Sequence, residues 1–276
     1  MITHARGEHG FRTQLHECAK NIGTEDSKVY NQKRNISYTM SATHHTSPKP
    51  HVVVLTGAGI SAESGLRTFR DAGGLWEGYS PEEVATPEAW YANQELVLKF
   101  YNERREQLEK AEPNAAHKAL ATLESKFEVT VITQNVDNLH ERAGSSNVVH
   151  LHGMLTQVRS SVDPTLIYEW GYKALKTGDK CERGSQLRPH IVWFGEAVPE
   201  IERAMRITST ADYLLVVGTS LVVYPAASLI HDAPPHAKRV IVNPEIPEGV
   251  EAYGFESIET TAGVGVPQIV SRWLGE

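Results

Sequence analysis

Short apolar runs rich in β-branched residues punctuate the chain at His51–Thr56, Val129–Thr133, Tyr213–Val217 and Arg239–Val242. A run that is apolar at successive positions, not alternate ones, marks a strand buried on both faces. Helical patterns lie between these runs, over Pro87–Lys110, Ala115–Glu124, Ile201–Thr208 and Ala226–His231. Strands alternating with helices predict an α/β fold: a Rossmann-like parallel sheet with helices on both faces. Val148–Leu151 is a further candidate strand. Between Leu155 and Arg188 the alternation stops. Pro164, Gly171, Gly178, Asp179 and Gly184 make this region turn-rich, and it reads as a small module inserted into the sheet domain.

Residues 1–49 differ from the rest. They are polar, lack sustained periodicity and are expected to form a disordered extension. No apolar stretch suits a secretory signal, and Glu8, Glu17, Glu25 and Asp26 speak against a mitochondrial presequence. Met40 is a candidate for the true start. The net charge of −7 argues against a nucleic-acid partner. No apolar run approaches the roughly 18–20 residues of a membrane span. The only cysteines, Cys18 and Cys181, rule out a disulfide scaffold and a four-cysteine zinc site, and suit a reducing compartment, here the cytoplasm.

Chemistry-bearing residues cluster just past the strands. Gly57-Ala58-Gly59 follows the first strand, where glycine lets the backbone approach a pyrophosphate and a following helix start offers free N–H groups. As a dinucleotide fingerprint it is incomplete, because Ala62 fills the third small position and no acidic residue is clearly placed about 20 positions on. Gln134, Asn135 and Asp137 follow the second strand, Gly218-Thr219-Ser220 the third, and Asn243-Pro244-Glu245 the fourth. Ligands bind at such carboxyl ends in parallel sheets, although Asn135 or Asp137 could equally cap a helix. His152 follows Val148–Leu151 and titrates near neutral pH, as a general base should. His140 and His150 suit ordinary core positions better. Tyr101 and Arg104 lie three apart, on one face of the expected helix. An arginine fork beside a phenol suits a carboxylate; a solvated helical face is the alternative.

Taken together, these strings resemble the sirtuins, a family of NAD-dependent protein deacylases, in their bacterial class III form. The resemblance runs through Gly57–Gly65, Leu66–Trp76, Thr133–His140, Leu151–Gly153, His190–Glu196, Val217–Ser220 and Val242–Glu245, in the family's order. It implies a catalytic domain over residues 50–276, whose small module comprises mainly 154–189 and the helical part of 70–110. It implies NAD as cofactor. The diphosphate would lie on Gly57, Ala58, Gly59, Ile60, Ser61, Ala62 and Ser64, under a mobile loop carrying Phe69, Arg70 and Trp76. Gln134, Asn135 and Asp137 would serve the nicotinamide and its ribose. Gly218, Thr219, Ser220, Asn243, Pro244, Glu245 and Ala262 would serve the adenosine half. His152 would be the general base.

The resemblance also implies a substrate side. Val192, Phe194, Gly195 and Glu196 would pair with an extended acyl-lysine peptide, and Val192, Trp193 and Phe194 would wall the acyl tunnel. Tyr101 and Arg104 match a Tyr-x-x-Arg pair that recognises succinyl and malonyl groups. The implied activity is a transferase: removal of acetyl and succinyl or malonyl groups from protein lysines, giving nicotinamide, O-acyl-ADP-ribose and free lysine. Acylated proteins are the expected partners, with no nucleic acid, no membrane and a monomeric chain. Mono-ADP-ribosyl transfer, a non-catalytic NAD sensor and a nicotinamide-dependent dehydrogenase are the rival readings. One departure stands out. Most sirtuins hold a zinc ion with two cysteine pairs, and the corresponding positions here are Ser160, Asp163, Cys181 and Gly184. One thiolate with weak oxygen neighbours is a poor tetrahedral site, so no metal is expected. The module would then rest on its own packing, through Tyr168, Trp170, Tyr172 and Leu175.

Overall fold

A computed structural model of the chain describes residues 49–66 and 78–275, within one unit of the chain, Ser47–Glu276. The expectations for the N-terminal extension, Met40 and Cys18, and for Phe69, Arg70 and Trp76, fall outside the described residues. The strands are β1 (His51–Thr56), β2 (Glu128–Thr133), β3 (Val148–His150), β4 (Gly153–Ser160), β5 (Ile167–Glu169), β6 (Leu187–Ile191), β7 (Tyr213–Val217), β8 (Lys238–Asn243) and β9 (Phe255–Glu259). Six of them form a parallel sheet in the order β3-β2-β1-β7-β8-β9. Thr56 of β1 is in register with Thr133 of β2 and Val217 of β7, so three carboxyl ends finish level. Connections run one way from β1 and the other way from β7. Their junction is therefore the switch point where parallel sheets open a ligand crevice.

The helices are α1 (Pro81–Val84), α2 (Pro87–Ala92), α3 (Gln94–Lys110), α4 (Ala115–Thr122), α5 (Leu139–Ala143), α6 (Ile201–Thr208) and α7 (Ala262–Leu274). Successive β1 residues serve opposite cores, as strand geometry requires. Val52 and Val54 pack with Ala116, Leu120, Val266 and Ile269 of α4 and α7. Val53 and Leu55 pack with Ala204 of α6 and with Leu229 and Ile230.

Several expected elements differ in form. The helix start after Gly57 is instead two 3-10 turns, Ala58–Ile60 and Ala62–Ser64, closed by left-handed Gly65. The Gly59 N–H is spent on the Gly218 carbonyl at 2.9 Å, which satisfies one of the donors left free at the start of the first turn. Pro87–Lys110 is divided at Asn93, whose side chain caps α3 by accepting from Leu96 N at 3.1 Å. Ala226–His231 is 3-10 rather than α-helical.

The turn-rich module contains the antiparallel sheet β5-β4-β6. It shares one core with the helices before it, joining Trp90, Phe100 and Tyr101 to Leu155, Val158, Leu175 and Trp193. Leu175, Tyr168, Trp170 and Tyr172, the expected packing residues, all belong to or border this core. Arg105, the neighbour of Arg104, is also buried there. Its Nε donates to Leu155 O at 2.7 Å and its Nη1 to Asn102 Oδ1 at 2.9 Å. Asn102 in turn brackets Leu175, donating to its carbonyl and accepting from its N–H.

At the positions where the family's zinc would sit, hydroxyls and main chain satisfy one another. Ser185 Oγ lies 2.9 Å from Cys181 Sγ and 2.8 Å from Ser160 Oγ. The Asp163 carboxylate is taken by Thr165 and by Arg183 at 2.7 Å. Among the described residues no three His, Cys, Asp or Glu side chains gather within metal-binding reach. These donors do not fit a tetrahedral zinc ion. Exhaustive chelation should therefore leave the melting temperature unchanged; a drop of several degrees would reveal a structural metal. Among the described residues no helix is long and apolar enough to cross a membrane.

Candidate active site

Where β1 and β7 end, two glycine turns touch. Gly57 N donates to Val217 O at 3.0 Å, and Gly59 N donates to Gly218 O. A Cβ on Gly218 would lie 2.4 Å from Ile60 N, and its φ of +62° already disfavours a side chain. Glycine is required here by protein–protein contact as well as by any ligand.

Above this junction the polar side chains interlock. Asn135 Nδ2 donates to Gly57 O at 3.1 Å and to Ser61 Oγ at 3.2 Å, and Ser61 Oγ donates to Asp137 Oδ2 at 2.9 Å. Asp137 also accepts from Leu139 N at 3.1 Å, so it satisfies the first free N–H of α5, one residue ahead of the N-cap Asn138. Burial pushes the Asp137 carboxyl up, against those two hydrogen bonds. Gln134 Nε2 reaches Thr219 Oγ1 at 3.2 Å and ties the end of β2 to that of β7.

His152 stands beside this network. Its Nδ1 lies 2.9 Å from the Gln134 carbonyl oxygen, which can only accept. Nδ1 therefore carries the hydrogen, and Nε2 is left as the ring's acceptor. Burial lowers its pKa, which keeps the ring neutral at physiological pH. Gly153 fixes its backbone: φ is +80°, and a Cβ would lie 1.9 Å from the His190 carbonyl oxygen. Gly153→Ala should force β4 from β6 and cost about 2–3 kcal/mol of stability. Denaturant melts would test this, and a cost near zero would contradict the account.

His140 and His117 serve the core. His140 Nε2 lies 3.1 Å from Thr56 Oγ1, which bonds Thr133 Oγ1 at 2.8 Å. The ring packs edge-on to buried His117, with centroids 4.9 Å apart. His150 bonds the Asn135 carbonyl and Glu141. Burial lowers His117 from an ordinary value of 6.5 to about 4, and lowers His140 in the same direction. The unfolded chain thus binds protons more readily. Stability is complete above pH 6.5 and is lost as pH falls through the window down to about 4. His117 alone should remove about 2 kcal/mol between pH 7 and pH 5, measurable by urea unfolding, and a flat profile would refute this.

The expected substrate residues lie in the small module. Tyr101 is 2% exposed, and its phenol accepts from Trp193 Nε1 at 2.9 Å. Burial pushes the phenol up to about 12, against the nearby Arg104 charge. Arg104 stands with its guanidinium 5.6 Å from the Phe100 ring centre. The edge strand expected over Val192–Glu196 is not formed. β6 stops at Ile191, and the N–H groups of Val192 and Phe194 are already engaged by His152 O and Ala85 O. Phe194 and Gly195 are exposed. Glu196, expected at the substrate, acts as a clamp within the chain: it takes Arg188 through both oxygens at 2.7 and 3.0 Å, Arg159 at 3.2 Å and Trp193 N at 2.9 Å. Burial opposes its charge, but the Arg188 and Trp193 hydrogen bonds prevail and lower its pKa.

On the β8 side, the buried Asn243 side-chain amide donates to Glu245 O, while Pro244 and Glu245 are exposed. Ala262 opens α7 and is buried in the same core as Ile60. That helix was not legible as such, and Glu63 explains its position: its carboxylate accepts from Gly263 N at 2.6 Å. The structure thus gathers Gly57, Gly59, Ser61, Gln134, Asn135, Asp137, His152, Gly218 and Thr219 at the junction of the β1, β2 and β7 carboxyl ends, and sets Tyr101 and Trp193 in the module's core with half-buried Glu196 beside them. A dinucleotide fits the chemistry of this cluster. Glycine turns admit a close backbone approach, and amide, carboxyl and hydroxyl groups match ribose and carboxamide.

The chain matches the sequence profile of the Sir2 family over residues 57–225. It is 52% identical over 227 residues to the NAD-dependent protein deacylase of Bacteroides thetaiotaomicron, covering 79% of this chain and 96% of the relative. It is 54% identical over 213 residues to the NAD-dependent protein deacylase of Helicobacter pylori strain 26695, covering 75% and 93%. Among solved structures, a Sir2 homologue–NAD complex superposes with a TM-score of 0.74 at 42% identity, covering 82% of this chain and 90% of that one.

Proposed function

The chain belongs to the Sir2 family, and from that premise we propose that it removes acyl groups from protein lysines with consumption of NAD. The observation that carries the reading is the poise of His152: Nδ1 held by the Gln134 carbonyl, Nε2 left to accept, and the ring kept neutral by burial beside Asn135 and Asp137. Bound NAD supplies a ribose carbon from which nicotinamide can depart and ribose hydroxyls able to receive an acyl group.

The chain's own residues do the rest. His152 Nε2 takes the proton of a ribose hydroxyl, and the Gln134 carbonyl stabilises the imidazolium that results. Asn135, Asp137 and Ser61 hold the nicotinamide end, and Thr219 and Gln134 order the floor between β2 and β7. Gly57 to Ala62, Ser64, Gly218, Ser220, Asn243 to Glu245 and Ala262 bind the remainder of the dinucleotide. Phe194 and Gly195 face the substrate peptide. Tyr101 and Arg104 receive the carboxylate of a succinyl or malonyl group, so the enzyme takes these acyl groups as well as acetyl. One water is consumed, the ribose carbon that loses nicotinamide gains an oxygen, and the products are free lysine, nicotinamide and O-acyl-ADP-ribose.

Acetyl-, malonyl- and succinyl-lysine peptides incubated with and without NAD test the reading. All three should be deacylated only with NAD. ADP-ribose on protein, with acyl-lysine left intact, would contradict it in favour of ADP-ribosyl transfer.

A further inference from the structure

We propose that Trp193 is a positioning residue for acyl selectivity: its indole N–H holds the Tyr101 phenol so that the phenolic hydrogen points to the carboxylate of the acyl chain. The proposal rests on the reading that Tyr101 and Arg104 receive a carboxylated acyl group.

The chemistry follows from what each group can do. An indole N–H only donates, so at 2.9 Å the Tyr101 oxygen must be the acceptor. A phenolic hydrogen lies in the ring plane, on one side of the oxygen or the other. A donor arriving on one side leaves the hydrogen to the opposite side. Tyr101 is thereby made a directed donor. A carboxylate needs such a donor, whereas an acetyl methyl has nothing to accept it.

Trp193 is itself rigidly held. The Arg188 guanidinium stacks on its ring at 3.3 Å, and the Trp90 ring lies 5.8 Å from it. Arg188 is fixed by Glu196 and by the Ile191 carbonyl at 2.9 Å. Glu196 also takes the Trp193 backbone N–H. Ring, guanidinium and carboxylate lock together, and Trp193 is 2% exposed. Such a lock fixes the direction of one N–H, which packing alone would not require.

The test compares kcat/KM for succinyl- and acetyl-lysine peptides in the wild type, Trp193→Phe, Tyr101→Phe and the double variant. Phenylalanine keeps the ring and the stacking but lacks the N–H. The succinyl-to-acetyl ratio should fall about tenfold in Trp193→Phe, mainly through KM. In the double variant it should match Tyr101→Phe alone, because the indole acts only through the phenol. An unchanged ratio in Trp193→Phe, or losses that simply add, would overturn the proposal while leaving the carboxylate reading intact. A wild type inactive on succinyl-lysine would overturn both.

A second measurement needs no folded Trp193 variant. Among the indole N–H resonances, the one displaced by Tyr101→Phe should shift when wild type binds succinyl-lysine peptide, and not when it binds acetyl-lysine peptide. An identical response to both peptides would also overturn the proposal.

Discussion

Replacing His152 with Ala should lower kcat by about a thousandfold while NAD affinity stays within about threefold. The side chain contributes through one ring nitrogen. Its Nδ1 is committed to the Gln134 carbonyl, so only Nε2 can receive a proton. Of the polar side chains expected to grip the cofactor, Asn135, Asp137 and Ser61 bond to one another and Thr219 bonds to the Gln134 amide, and none of these side chains bonds to the imidazole. Binding should therefore survive the substitution. A base must be deprotonated to act, and burial depresses this pKa. The rate should accordingly rise with pH through an inflection below the ordinary histidine value and be level at pH 7–8. Calorimetry with NAD, single-turnover rates and a pH profile would check each part. Wild-type turnover in the variant would remove His152 from the mechanism.

The second large effect concerns the acyl chain. Changing Tyr101 to Phe and Arg104 to Met together should lower desuccinylation about a hundredfold or more, and lower deacetylation far less. A site built to pair a carboxylate loses most when its donors go, because little water remains inside to replace them. With its pKa near 12, the Tyr101 phenol keeps its hydrogen throughout the physiological range and stays a donor. Equal losses on succinyl- and acetyl-lysine peptides would mean that the two residues serve the module's packing and not acyl recognition.

Much of this was legible in the residues. β1, β2, β7 and β8 are buried on both faces, and burial of that kind writes an unbroken apolar run. Asn135, Asp137 and His152 drew attention by standing just past such runs, but Asn135 and Asp137 could equally have capped a helix there, and it was the family resemblance that assigned all three to the site. β9 was not legible: its Phe255-Glu256-Ser257-Ile258-Glu259 pattern offers only two apolar residues, as an edge strand allows. The start of α7 was hidden by Gly263, Gly265 and Pro267, poor helix formers that Glu63 and the core override from far away in sequence.

Contacts distant in sequence account for the rest. Nothing near Arg105 announces that it is buried against the Leu155 carbonyl. Glu196 was placed near the substrate by the family resemblance, and nothing in the sequence announces that two arginines from β4 and β6 pair with it. The Trp193–Tyr101 hydrogen bond spans 92 positions. The tautomer of His152 depends on a main-chain carbonyl, which no side-chain pattern encodes.

The central claim is tested most directly by mass spectrometry of the products formed from a succinyl-lysine peptide and NAD. The account predicts one nicotinamide and one O-succinyl-ADP-ribose for each lysine freed, and none of these from His152→Ala on the same timescale. Free succinate formed without NAD, or ADP-ribose attached to protein while the succinyl-lysine remains, would contradict it.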